Sequence, residues 1–121
     1  MNLPTVDLAI AINEAVREGD EWFDERDDVE RLTKALKSVQ EISDPIAAAA
    51  RLASRVAATQ AFTEGNKRTA LLLARWVLDH NGVDGAKVLP SDDEQLPDLL
   101  VKAASGLDVE QEIIDVFENR K

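Results

Sequence analysis

The run richest in chemistry is TQAFTEGNKRTALLLARW, residues 59–76. It reads as a helix end, a tight turn at Gly65, and a new helix opening on Asn66, Lys67 and Arg68. The first N–H groups of a helix have no partner within it, and the aligned peptide dipoles put partial positive charge there. A glycine just before them lets the backbone approach a ligand in conformations closed to other residues. Together these features make a nest for an anion such as phosphate. Asn66 adds a side-chain donor, and Lys67 and Arg68 add formal charge. Glu64 beside the nest makes sense if Mg²⁺ bridges its carboxylate to a phosphate. Phe62 is expected to plug into the core and pin the turn. The competing reading is a plain helix–turn–helix connection with a basic first turn.

The same run resembles the signature of the Fic/Doc family: His, any residue, Phe, any residue, Asp or Glu, a small residue, then Asn before a basic helix start. Phe62, Glu64, Gly65, Asn66, Lys67, Arg68, Thr69, Ala70 and Leu71 carry the likeness, and NKRTAL is closest to the Doc (death-on-curing) branch. The flanks agree: an alanine-rich helix before, LDHNG after, and AASGLDVEQEIIDVF near the C-terminus. The resemblance covers most of the chain from Asp44 onward and is weaker before it. It implies a Fic fold and transfer of part of a nucleotide to a protein hydroxyl. Doc-type members phosphorylate elongation factor Tu, arrest translation, and are restrained by a cognate antitoxin. By position, Glu64 would hold Mg²⁺, Gly65, Asn66 and Lys67 would form the nest, and Arg68 would clamp phosphate, with ATP as the expected nucleotide. Lys67 stands where AMP-transferring members have a second glycine, and Leu71 where they have a second arginine; both lean toward phosphoryl transfer.

One position departs from the signature. Gln60 stands where the family has the histidine that takes the proton from the attacking hydroxyl. A glutamine amide orients a hydroxyl by hydrogen bonding but does not accept its proton near neutral pH. Losing a positioned base costs about 10²–10⁴-fold in rate. Positioning and charge stabilisation usually supply the larger share in phosphoryl transfer, so a slow enzyme survives the loss on energetic grounds. The sole histidine, His80, lies fourteen residues beyond Asn66 on the same helix, about 20 Å away at roughly 1.5 Å per residue. It is expected to serve the helix C-terminus instead. Glu64 is a substitute base only at the expense of its metal role, and a deliberate silencing of a toxic histidine is a third explanation.

Positioning these residues falls to helices. Alanine and leucine are abundant, tyrosine is absent, and no stretch alternates long enough for a strand. A first helix is expected over about Thr5–Arg17, capped by Thr5, with Leu8, Ile12, Ala15 and Val16 inward. Trp22 and Phe23 are expected to tuck into the core from a loop. A second helix spans about Val29–Val39, with Leu32, Leu36 and Val39 buried. Asp44 and Pro45 open a third, alanine-rich helix expected near the centre. The fourth follows Gly65 and ends at Asn81-Gly82, with leucines on several faces. GVDGAKVLPSDDEQLP reads as a connecting loop, with a capping box at Ser91–Glu94 and Pro97 as the alternative start of a fifth helix. Asp108 caps the last, which buries Val109, Ile113, Val116 and Phe117. The expectation is one all-α domain over residues 1–121, a compact bundle of about six helices.

Composition narrows the partners. With 24 acidic and 14 basic residues, a net charge of −10 disfavours nucleic acid as a direct partner. Cysteine is absent, so disulfides and thiolate metal sites are excluded. No signal peptide or membrane-length apolar run is visible, and a cytoplasmic protein is expected. An antitoxin docking as a helix would need an exposed apolar groove, expected near the first and second helices. Two other readings stay open beside the Doc-like transferase: a Fic-fold binding module without turnover, and a helical scaffold in which residues 59–76 are only a turn.

Overall fold

The computed structural model describes residues 1–17, 28–62 and 65–121. Those residues form α1 (Val6–Val16), α2 (Val29–Lys37), α3 (Pro45–Thr59), α4 (Asn66–Asp79), α5 (Gly85–Val88), α6 (Gln95–Ala104) and α7 (Glu110–Arg120). No strand occurs among them. The all-α expectation therefore holds, with seven helices among the described residues where about six were expected. Trp22 and Phe23 lie outside the described residues. No helix is long and apolar enough to cross a membrane among the described residues.

The helix starts follow from capping side chains. Thr5 Oγ1 accepts the Leu8 N–H at 3.1 Å, Asp28 Oδ1 that of Arg31 at 3.0 Å, and Asp44 Oδ1 that of Ile46 at 3.1 Å. Helix α3 is the centre, packing on α2, α4, α6 and α7. Ala48, Ala49, Ala50, Ala53 and Ala57 are all fully buried, which lets neighbouring backbones come close. Leu32, Leu36 and Val39 are buried as expected. So are Val109, Ile113 and Phe117, while Val116 is only half-buried.

Several local expectations are corrected. On α1 the inward residues are Ala9, Asn13 and, just past the helix, Arg17; Ala15 is exposed, and Leu8, Ile12 and Val16 are half-buried. Apolar periodicity does not mark this stripe, because two of its members are polar. Leu72 on α4 is 47% exposed, so burial there is not all-round. The segment read as a connecting loop contains α5. Helix α6 is capped by Asp93, whose Oδ2 accepts the Leu96 N–H at 2.8 Å, and not by Ser91. Pro97 falls within its first turn, where a missing N–H is tolerated. Asp108 does accept the Glu110 N–H, at 3.2 Å, with Val109 as the flanking residue of α7.

Two polar clusters hold the far side together and carry predictions. Gly85 donates its N–H to Asp79 Oδ1 at 3.0 Å, and Asp79 Oδ2 accepts from Arg75 Nε at 3.0 Å. A Cβ on Gly85 would overlap both Asp79 Oδ1 and Arg75 Nε. Gly85→Ala should therefore break this corner and cost about 1–3 kcal/mol in urea unfolding. In the second cluster, Arg120 donates to Asp93 Oδ1, 2.6 Å away, to Gln95 Oε1 and to the Val88 carbonyl. Burial works to raise the Asp93 pKa, but the hydrogen bonds from Arg120 and from the Leu96 N–H outweigh it and hold the carboxyl below its ordinary value. A carboxyl depressed in the fold lends stability that is full above its unfolded pKa of about 3.9 and is lost as pH falls through the folded value. Between pH 5 and 2.5, urea unfolding of Asp93→Asn should fall less steeply with acid than that of the parent.

Candidate anion-binding site at the start of α4

The turn between α3 and α4 is set by its backbone. Gln60 closes α3 in the left-handed region, at φ 53° and ψ 44°, and is the sole non-glycine residue with positive φ among those described. Such a conformation is uncommon for a side chain of this kind and costs on the order of 1 kcal/mol. A brace from α2 holds it on both sides. Arg31 Nη1 donates to the Thr59 carbonyl at 3.1 Å, and the Asp28 N–H donates to the Ala61 carbonyl at 2.6 Å. Asp28 and Arg31 are paired with each other at 3.1 Å. The Gln60 side chain is exposed, its Nε2 turned back toward the Ala57 carbonyl at a long 3.4 Å.

Phe62 is 2% exposed and anchors the turn in the core, as expected. Asn66 behaves differently from its expected role. Its Oδ1 accepts the Phe62 N–H at 3.0 Å and its Nδ2 donates to the Phe62 carbonyl at 2.8 Å. Both polar ends close the loop on itself, so its side chain shapes the nest and does not reach outward to a ligand. Gly65 flanks the start of α4 at φ 77°, and among the described residues no side chain caps the helix. A Cβ at Gly65 would sit 3.1 Å from Val16 Cγ1 and 3.2 Å from Asn13 Nδ2. Both its dihedral and its closeness to α1 thus call for glycine. Lys67 and Arg68, on the first turn, are exposed. Glu64, the expected Mg²⁺ ligand, lies outside the described residues.

Beneath the turn runs a polar layer that the sequence did not advertise. Asn13, 1% exposed, donates to Thr69 Oγ1 at 3.0 Å, and Thr69 is fully buried. Arg17, 5% exposed, donates to Asn13 Oδ1 at 3.3 Å. These bonds tie α1 to the first turn of α4 behind Gly65. The signal in the sequence was Asn13 and Arg17 spaced one helical turn apart on an otherwise apolar face.

The structure thus brings Gln60 and residues 65–68 to the two ends of one short loop. It gives an uncapped helix N-terminus beside two exposed cations, an arrangement suited to an anion. His80 takes no part: it ends α4, with Nδ1 2.8 Å from the Trp76 carbonyl and its ring stacked on Trp76 at 3.9 Å. Among the described residues no group of three His, Cys, Asp or Glu side chains is placed to hold a metal. An Mg²⁺ carried largely by phosphates and water needs only one or two carboxylates, which is the demand Glu64 would meet.

A groove along α4 is lined by Leu71 and Leu72, by Leu89 and Pro90, and by the charged residues Arg68, Arg75 and Asp93.

The family model described as Fic/DOC family matches residues 5–78, which takes in α1, α2, α3 and all but the last residue of α4. No match is found among curated proteins, and none among solved structures.

Proposed function

Because this chain belongs to the Fic/DOC family, we propose that it is a Doc-like transferase of a toxin–antitoxin pair. In this reading it acts in the cytoplasm on a protein hydroxyl, elongation factor Tu being the expected target, and moves the terminal phosphoryl group of ATP. The new bond joins the hydroxyl oxygen to the γ-phosphorus, the bond to the bridging oxygen breaks, and ADP leaves. A cognate antitoxin would restrain it; neither nucleic acid nor membrane is a direct partner.

The observation that carries the reading is the uncapped start of α4 beside Lys67 and Arg68. Backbone N–H groups of the first turn hold phosphate oxygens, Lys67 and Arg68 offset the charge that develops on transfer, and Gly65 lets the phosphates come close. Asn66 keeps the loop in shape through Phe62. Mg²⁺, held by Glu64 and the phosphates, would supply further charge stabilisation. Gln60 orients the hydroxyl without accepting its proton, so turnover is slow.

A second reading, a Fic-fold binding module without turnover, is favoured by one observation. The Gln60 amide is directed back at its own helix, toward the Ala57 carbonyl.

Thermal unfolding with ATP and Mg²⁺ tests the nest common to both. At ligand near 100 times Kd, binding should stabilise the parent by about 2.7 kcal/mol. Lys67→Ala and Arg68→Ala, both at exposed positions, should each lose most of that gain while unfolding normally without ligand. No shift for the parent would remove both readings.

A further inference from the structure

At the far end of α4 from the nest lies the one Asn–Gly pair in the sequence, Asn81–Gly82. We propose that this pair is a site of self-modification by deamidation, held in check by the hydrogen bonds that Asn2 makes to the end of α4. A glycine has no side chain to hinder its own nitrogen. That nitrogen attacks Asn81 Cγ, the new N–Cγ bond closes a five-membered succinimide, and the Cγ–Nδ2 bond breaks. Nδ2 leaves as ammonia, taking the proton of the Gly82 N–H. Water then opens either carbonyl of the ring and gives aspartate or isoaspartate.

The fold calls for both residues. Gly82 sits at φ 81°, in a turn where the Val83 N–H donates to the Leu78 carbonyl at 3.1 Å. Apart from its chain neighbours, no described atom lies within 4 Å of where a Gly82 Cβ would stand, so the attacking residue is unshielded. Asn81 fastens the turn through its amide. Its Nδ2 donates to the Val77 carbonyl and to the Asn2 carbonyl, both at 2.7 Å, and its Oδ1 accepts the Asn2 N–H at 2.7 Å. Asn2 adds a bond of its own, from Nδ2 to the His80 carbonyl at 2.9 Å.

The same bonds withhold the reaction. Both hydrogens of the leaving group are engaged and the amide oxygen is fixed as well. Cγ reaches the Gly82 nitrogen only after the side chain turns and gives these bonds up. The three bonds that involve Asn2 lie at the surface, where water competes for them. Release of Asn2 is therefore the opening that admits the attack. The change runs one way. A carboxylate at position 81 has no hydrogen to offer the Val77 and Asn2 carbonyls, and it adds negative charge at the negative end of the α4 dipole.

Peptide mass spectrometry of the full chain held at pH 8 and 37 °C tests this. The tryptic peptide Trp76–Lys87 carries the site, and deamidation changes its mass, whereas isomerisation at Asp84–Gly85 does not. The parent unfolded in guanidinium chloride sets the unguarded rate, and the folded parent should convert at least about tenfold more slowly. Asn2→Asp, nearly isosteric and at an exposed position, puts an acceptor where the His80 carbonyl now meets a donor. It should speed the folded chain about fivefold, the worth of one hydrogen bond. Gly82→Ala should stop the conversion, and Asn81→Asp, one of the two products, should unfold about 5 °C below the parent. Equal rates for the parent folded and unfolded, or for the parent and Asn2→Asp, would overturn the guard. No conversion of folded Asn2→Asp while the unfolded chain converts fully would overturn the site, and an unchanged Tm for Asn81→Asp would contradict the loss of the Asn2 bonds.

Discussion

Replacing Gln60 with histidine raises phosphoryl transfer from ATP by about 10²–10⁴-fold, the ordinary worth of a positioned general base. The backbone at this position suits the change. Gln60 sits at φ 53° and ψ 44°, and histidine is among the residues enriched in the left-handed region. The side chain is exposed, so a ring of different shape displaces nothing from the core. The brace from Asp28 and Arg31 bonds only to backbone carbonyls at Thr59 and Ala61, and it survives the substitution. Transfer of label from γ-³²P-ATP to elongation factor Tu, compared between the parent and Gln60→His, is the measurement. A parallel assay with α-labelled ATP reports AMP transfer. Binding without gain of transfer in Gln60→His would leave the binding-module reading in possession of the site.

The second large effect is on the loop itself. Asn66→Ala should cost about 2–4 kcal/mol, because it strips partners from both the N–H and the carbonyl of the buried Phe62. For a domain of this size the apparent Tm should fall by about 10 °C. Affinity for tripolyphosphate should drop as well, since the amides of the first turn lose the frame that aims them. Had Asn66 served only as an outward donor to ligand, its loss would weaken binding and leave thermal stability nearly untouched. Calorimetry and thermal unfolding of the one variant separate the two roles.

How much of this could be read from the letters depended on whether local rules governed the element. The α3 start was legible because Asp44 and Pro45 act through bonds a few residues away. Phe62 and Gly65 were legible for the same reason: a large apolar residue and a glycine next to a helix start have few other uses. The buried layer of Asn13, Arg17 and Thr69 was not, because its members join α1 to α4 across 56 residues of chain. Nor was the exposure of Leu72, since an apolar helix face carries no mark of which side its neighbours leave open. Asn66 was assigned to the site by its place in the motif, yet its bonding partner, four residues back, turned it inward. The groove needed Leu89 and Pro90 to fold back along α4, which depends on the Arg75–Asp79–Gly85 corner and on Arg120 reaching the Val88 carbonyl.

The proposed function requires the first turn of α4 to grip phosphate. Titrating ¹⁵N-labelled protein with tripolyphosphate and following its amide resonances addresses that directly. The prediction is saturable shifts at Gly65, Asn66, Lys67, Arg68 and Thr69, with the amides of α7 unmoved. Shifts that never saturate, or that spread over surface lysines and arginines while those five amides stay still, would contradict it.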